Sequence, residues 1–443
     1  MNIRVKKLPI VLPLLLVAAL LVSAAVMSRM GRTSAAAHTD LGQKYLNDMN
    51  YTGAVAEFLQ SISLDPTAQE ARLGLAQAYI ASGSPEMVSG ILEPLTEAGT
   101  PEAYRLLIES QRAADPVQAL ITAQKLVERT DSDEDYALRD ALLSEALARP
   151  HSYAQGYDQQ LALSGGEVRS SGSNTLGQLG TGQSIGTDQI QPALQSAQFP
   201  GTPQRVYCAG RTSYVIDSGH NLWAAGENRW GQLGVSYVTT LPQEGWTQIL
   251  DTGDAAAAAG SVGTLYVLKT DGSLWYAGQG GVMDLRRING LGPVAAIDSN
   301  NWQTAILTAQ GALYLSDEDD PLHWTRIARD VKHFCFSDTE LLWVTTENQI
   351  CSQYGLPQLP DTWLWDGQGV TPDFTITAIA AAPDALLLRD ASNTLHRIHN
   401  GTHQTTENLP TTSIYTTNGT VILELPNGTA QRWDLTRQTP ENL

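Results

Sequence analysis

Cysteine is nearly absent from this chain. Cys208, Cys335 and Cys351 are odd in number, far apart and in no CxxC or Cys/His pattern with metal-ligand spacing, which excludes a disulfide-built framework and a zinc site of that kind. They read as small buried apolar residues; a single Cys335–Cys351 disulfide stays open, because an extracytoplasmic location would permit it. Charge is scarce too, at 16% of residues, and basic residues are the scarcer kind: 27 Lys and Arg stand against 46 Asp and Glu, a net charge of -19. No acidic residue precedes position 34, where Arg4, Lys6, Lys7, Arg29 and Arg32 lie; without those five, 22 basic residues face 46 acidic ones, a net of -24. Such a surface repels phosphate backbones and anionic lipid, so nucleic-acid binding is excluded as a working expectation. With 42% hydrophobic residues the chain is not largely disordered, and 443 residues favour two or three folded units.

Only one stretch is long and apolar enough to span a bilayer. It runs from Leu8 to Met27, interrupted by Pro9, Pro13 and Ser23, with Arg4, Lys6 and Lys7 before it and Arg29 and Arg32 after it. Twenty residues at about 1.5 Å each reach about 30 Å, the thickness of the hydrocarbon core. Residues 1–33 are therefore expected to be an uncleaved signal-anchor. The N-terminus would be cytoplasmic by the positive-inside bias and the rest extracytoplasmic. The alternative is a secreted protein, released by cleavage near Ala35-Ala36-Ala37.

Residues 38–149 carry a helical period. Leu41-Gly42, Tyr45, Ala54, Phe58 and Pro66 resemble the L-G-x2-Y, A-x3-F and closing-Pro pattern of the 34-residue tetratricopeptide repeat, with His38 where that pattern has Trp. Adding 34 gives Leu75, Ala76, Tyr79, Val88 and Leu92, with Thr100 in place of the proline. Small residues let two helices approach and the large ones fill the gap between them. A degenerate third unit spans about 101–128, breaking at Ala114-Asp115-Pro116, and 135–148 reads as a capping helix. The resemblance implies either a helical spacer or a peptide-gripping concave face.

Beyond Pro150 the helical period ends, and all ten tryptophans follow it. Leu161–Gly180 (LALSGGEVRSSGSNTLGQLG) and Tyr214–Gly234 (YVIDSGHNLWAAGENRWGQLG) align with one another almost throughout. Both resemble the blade motif of the regulator of chromosome condensation repeat family. Turn marks recur at Gly165, Gly219, Gly272, Gly311, Asn348, Asn393 and Gly428, which predicts a seven-bladed β-propeller over residues 150–443. Within the two strings Gly177, Gly180, Gly231 and Gly234 are expected to be the blade turns, at least one with φ > 0, while Leu179 and Leu233 plug back into the blade. The segments 183–200 and 281–291 are expected to be long inter-blade loops.

The fold class is thus multidomain, a transmembrane helix and tetratricopeptide-type repeats followed by an all-β propeller. No H-E-x-x-H, G-x-S-x-G, S-x-x-K or P-loop string occurs, so neither an enzyme nor a cofactor is expected, and no metal. Asp131, Asp133 and Asp135 resemble the start of a calcium loop, but Tyr136 stands where glycine is needed, and they read as a linker and helix cap. His396 and His399 would face opposite sides of a strand, which disfavours a metal site with His403. The Asn-Gly-Thr triplets at Asn400, Asn418 and Asn427 read as tight turns. Members of the repeat family include the exchange factor of a small nuclear GTPase and a secreted bacterial β-lactamase inhibitory protein. The apolar N-terminus and the acidic surface depart from the nuclear role. What the resemblance implies is a ring offering its rim to a protein partner, with Trp230, Trp324, Trp363 and Trp365 as candidate aromatic anchors. The alternative is a carbohydrate- or cell-wall-binding propeller with hydrolytic activity.

Overall fold

The computed structural model describes residues 34–182, 190–241, 245–249, 253–356, 359–360, 363–365, 369–383, 385–406, 411–434 and 439–442. The expected membrane span lies outside them; among the described residues no helix is long and apolar enough to cross a membrane. Seven helices precede the strands: α1 (34–47), α2 (Tyr51–Leu64), α3 (Gln69–Ala81), α4 (Val88–Glu97), α5 (Pro101–Arg112), α6 (Pro116–Thr130) and α7 (Asp133–Leu147). The chain divides into two compact units that meet between Gln111 and Arg112. Secondary structure changes from helix to strand near residue 150, whereas packing divides earlier, because α6 and α7 belong with the strands.

The first unit is built around Phe58. Ala54, Phe58, Ala71, Leu75 and Ala78 form its core, with Tyr45 and Tyr79 packed against them. A Cβ added to Gly42 would meet the Phe58 ring at 2.8 Å, and one added to Gly74 would meet it at 2.3 Å. The glycines are therefore what allow α1 and α3 to close on the ring, the role the repeat pattern assigns to its small residues. Ala76, Val88, Leu92, Leu95 and Ala103 form the next core layer. Asn50 caps α2 by accepting from Gly53 N at 3.1 Å.

In the second unit seven antiparallel sheets form the blades, at 153–196, 203–248, 255–288, 294–328, 331–371, 376–406 and 413–442. Blade five has five strands and the others four. All seven turn marks fall between the second and third strands of their blades. Six of those residues have positive φ; in blade two His220, at φ 60°, takes that place beside Gly219. The two GQLG strings fold alike. Leu179 N donates to Asn174 Oδ1 at 2.8 Å and Leu233 N to Asn228 Oδ1 at 3.0 Å. Leu176 N and Trp230 N each donate to the glutamine two residues on, at 2.9 Å. Leu179 and Leu233 are fully buried, and Gly177, Gly180, Gly231 and Gly234 all have positive φ.

Two expectations need correction. Segments 183–200 and 281–291 are not loops throughout, for they hold the outermost strands Ile190–Ser196 and Val282–Ile288. Those strands are mostly exposed, so they lack the apolar alternation by which a half-buried strand is recognised. The Cys335–Cys351 pairing left open above does not form; none of Cys208, Cys335 and Cys351 is in a disulfide.

Among the described residues every blade consists of strands consecutive in sequence, with no exchanged strand between blades seven and one. Blade seven grips blade one through side chains instead. The buried Glu424 carboxylate accepts from Ser152 N at 2.6 Å, lies 2.7 and 2.9 Å from Ser152 Oγ, and is 2.8 Å from the Tyr415 hydroxyl. Tyr153, Ala162, Ile422 and Ala430 seal the same junction with apolar surface.

Candidate functional site

The inner strands of the blades surround a channel whose walls include many small side chains, among them Ala257, Ala258 and Ala259. Its free space is about 170 Å³. Alternation of strand direction sorts the connections. Turns joining the first to the second and the third to the fourth strand collect on one face of the ring. Turns joining the second to the third, and the links between blades, collect on the other.

Helices α6 and α7 lie on that second face, over the channel. Leu143 of α7 stands 3.1 Å from where a Cβ on Gly272 would be, Ile121 of α6 stands 3.6 Å from the same point on Gly311, and Lys125 Nζ is 3.8 Å from Asp330. Val117, Ala146 and Leu147 line the cavity beneath. A buried hydrogen-bonded pair holds the start of α6 in place. Asp115, its N-cap, accepts from Gln118 N at 3.0 Å and meets His333 Nε2 at 2.7 Å. Burial alone would raise Asp115, but His333, with Lys332 and the Gln118 amide, holds its pKa below the ordinary carboxylate value. On His333 burial outweighs the carboxylate, and its pKa falls. Lys332 Nζ, itself buried, donates to Ile376 O at 2.7 Å.

Deeper in the channel His151 stacks between Tyr207 and Tyr415, with ring centroids 4.5 and 4.3 Å away, and burial lowers its pKa to about 4. Asp298 takes one hydrogen bond from its neighbour Ser299 N and a long one, 3.4 Å, from Phe336 N; burial raises its pKa to about 7. Burial pushes Cys208 up to about 12 and Cys335 well above its ordinary value, so both stay thiols rather than nucleophilic thiolates. The far mouth is bridged by Asn301 and Asn418, both in left-handed conformation, whose side chains meet at 2.7 Å across the ring. His151, Asn301 and Asn418 thus tie elements of the ring together, whereas Asp298, Cys208 and Cys335 line the cavity.

The first face differs. Trp230, Trp302, Tyr157, Tyr237 and Leu241 are 45%, 56%, 57%, 46% and 72% exposed there. They belong to one continuous surface. The indole of Trp230 lies over Gly263, 2.6 Å from where a Cβ would be, and Val262 in that same turn donates its N–H to Asn301 O beside Trp302. Tyr157 N donates to Gly210 O at 2.9 Å, and Gly210 abuts Val262. Gly231 abuts Met283, which is also exposed.

No protein-family model and no curated protein matches the sequence. Solved structures do resemble it. Prp20p of Saccharomyces cerevisiae, described together with its binding to Gsp1p and histones, is 14% identical over 66% of this chain and 83% of that one, with a TM-score of 0.48. Human WBSCR16 is 13% identical over 60% of this chain and 84% of that one, also at 0.48. Yeast RCC1 (Prp20), in a structure with Kap60 bound, is 15% identical over 66% and 81%, at 0.44.

Of the four tryptophans named from sequence, Trp230 is on the exposed face. Trp324 is half-buried, its ring edge-on to Tyr266 at 5.2 Å. Trp363 is only 8% exposed and packs among Cys335, Ile350 and Val370. The side chain of Trp365 lies outside the described residues. Sequence reasoning missed Tyr157 and Trp302, which follow the inner strands directly; a blade-by-blade alignment of first turns was the signal that could have found them. Asp131 is the left-handed C-cap of α6, and Asp133 and Asp135 lie in the first turn of α7, where carboxylates suit the helix dipole. His396 Nδ1 is 2.9 Å from His403 Nε2 and its other nitrogen is 3.1 Å from Asp390, while His399 is directed elsewhere. Among the described residues no group of three or more potential ligands could hold a metal ion.

Proposed function

We propose that this chain is a non-catalytic protein-interaction scaffold, tethered to a membrane by its apolar N-terminal segment and displaying its helical repeats and propeller on the extracytoplasmic side. The helices are read as tetratricopeptide-type repeats and the blades as belonging to the regulator of chromosome condensation repeat type, on the motifs quoted above. One observation supports the reading most: large aromatic side chains stand exposed and contiguous on one face of the ring. Exposed aromatic clusters of this kind are what protein interfaces use as anchors.

A photo-crosslinking amino acid placed at Trp302 in the full chain, in cells, should yield discrete protein adducts, and one placed at Glu347 on the opposite face should not. Equal yields at both positions, or none at Trp302, would remove the support for this reading. Retention of the full chain in membranes after carbonate washing tests the tether; a soluble mature form beginning near Thr33 to His38 would show a cleaved signal instead.

A further inference from the structure

We infer that the partner of the exposed face is a polypeptide presenting lysine or arginine side chains beside large apolar ones; this rests on the scaffold reading above. The aromatic surface spans the turns of blades one to four, and its own arginines are already matched. Arg211 Nε is 3.2 Å from Asp158 and its guanidinium lies over the Tyr157 ring, while Arg229 Nε is 3.5 Å from Glu227. Acids are in excess on the flank. Asp317, Glu318, Asp319 and Asp320 are all exposed in the outer turn of blade four, and exposed Leu322 stands next to them.

That turn is fixed against blade three rather than hanging free. Pro321 O accepts from the buried Tyr266 hydroxyl of blade three at 2.7 Å, and Asp317 accepts from Asp319 N and Asp320 N. The backbone amides that point at Asp317 hold its pKa below the ordinary carboxylate value. In blade five the corresponding face adds exposed Asp338. An anionic rim beside an aromatic platform repels phosphate and has no electrostatic complement in a neutral sugar. It complements a cationic, apolar peptide segment, whose lysine stems also pack on aromatic rings.

The probe is a fluorescein-labelled 18-residue amphipathic peptide of leucine and lysine, compared with its leucine–glutamate counterpart, titrated against the full chain by fluorescence anisotropy. The lysine peptide should bind and the glutamate peptide should not. Trp230→Ala with Trp302→Ala should weaken binding about tenfold or more, as loss of aromatic anchors does. Neutralising the turn (D317N, E318Q, D319N, D320N) should weaken it several-fold and flatten its salt dependence. Glu167→Gln with Glu347→Gln, on the opposite face, should change it less than twofold. Trp302→Ala alone, at an exposed position, guards against loss of fold, which tryptophan fluorescence checks. Unchanged binding in both face variants overturns the inference, as does binding of cellohexaose or chitohexaose at this face without binding of the lysine peptide. Either result leaves the scaffold reading to be judged by the crosslinking at Trp302.

Discussion

Gly180 couples a backbone conformation to a side-chain contact, and replacing it with alanine separates the two contributions. At φ +66° an alanine must occupy the left-handed region, which costs about 1–2 kcal/mol. Its Cβ would also lie 2.3 Å from Trp246 Cε2 and 2.4 Å from Nε1. The indole must therefore move. It then loses its hydrogen bond to Ala197 O, now 2.9 Å, and its edge contact with Phe199, centroids 5.5 Å apart. The lost bond costs about 0.5–1.5 kcal/mol and the overpacking about 1–3 kcal/mol more. The expected total for Gly180→Ala is about 3–6 kcal/mol. Two other glycines isolate the parts. Gly182, at φ +78° with nothing within 4 Å of its Cβ position, should show only the strain of about 1–2 kcal/mol. Gly355, with neither positive φ nor a neighbour, should be nearly silent. All ten tryptophans lie past residue 150, so fluorescence during urea or thermal unfolding reports the second unit alone. With roughly 2 °C per kcal/mol for a large unit, Gly180→Ala should lower Tm by about 6–12 °C and Gly182→Ala by about 2–4 °C. If Gly180→Ala proved as mild as Gly355→Ala, the turn geometry and the indole contact assigned to the GQLG string would both be refuted.

Glu424→Ala should destabilise the propeller by about 2–4 kcal/mol in urea titration, since it orphans Ser152 N and Ser152 Oγ at the ring junction and leaves the Tyr415 hydroxyl only its bonds to Tyr153; a loss below about 0.5 kcal/mol would show that apolar packing alone closes the ring. His151, lowered by burial from 6.5 to about 4, contributes stability that is full above pH 6.5 and lost as pH falls toward 4. His151→Phe keeps a ring between the two tyrosines and should therefore remove about 1–3 kcal/mol of acid sensitivity across that window, read from urea midpoints at successive pH values. Asp298 has the opposite sign: with its pKa raised to about 7, its contribution is full below pH 3.8 and is lost as pH rises through 7. Asp298→Asn should accordingly gain stability relative to the parent from about pH 4 upward and level off beyond pH 7; a difference independent of pH would mean the carboxyl is well solvated. Trp363→Ala should cost about 3–5 kcal/mol as a core deletion, whereas Trp302→Ala should cost less than about 0.5 kcal/mol.

The sequence determined the repeating skeleton. Seven turn marks sufficed to place seven blades, because a tight turn between paired strands restricts its residues to glycine, asparagine and the few others that tolerate positive φ, and that restriction is local. Gly42, Ala54 and Phe58 announced helix pairing for the same reason: fitting a ring against a missing side chain requires residues of fixed size at fixed spacing. The outer strands Ile190–Ser196 and Val282–Ile288 were illegible, since a strand with solvent on both sides is under no demand to alternate. What lies far apart in the chain was decided only by the tertiary structure. Asp115 meets His333 and Glu424 meets Ser152 across separations that no spacing rule encodes. Exposure of Trp230 and Trp302 depends on how their loops end on the open face, and burial of Trp363, whose loop leaves its blade on that same face, depends on its packing among Cys335, Ile350 and Val370. A tryptophan looks the same in sequence whether it packs between blades or stands on the rim; contacts with residues far along the chain are what sort the two.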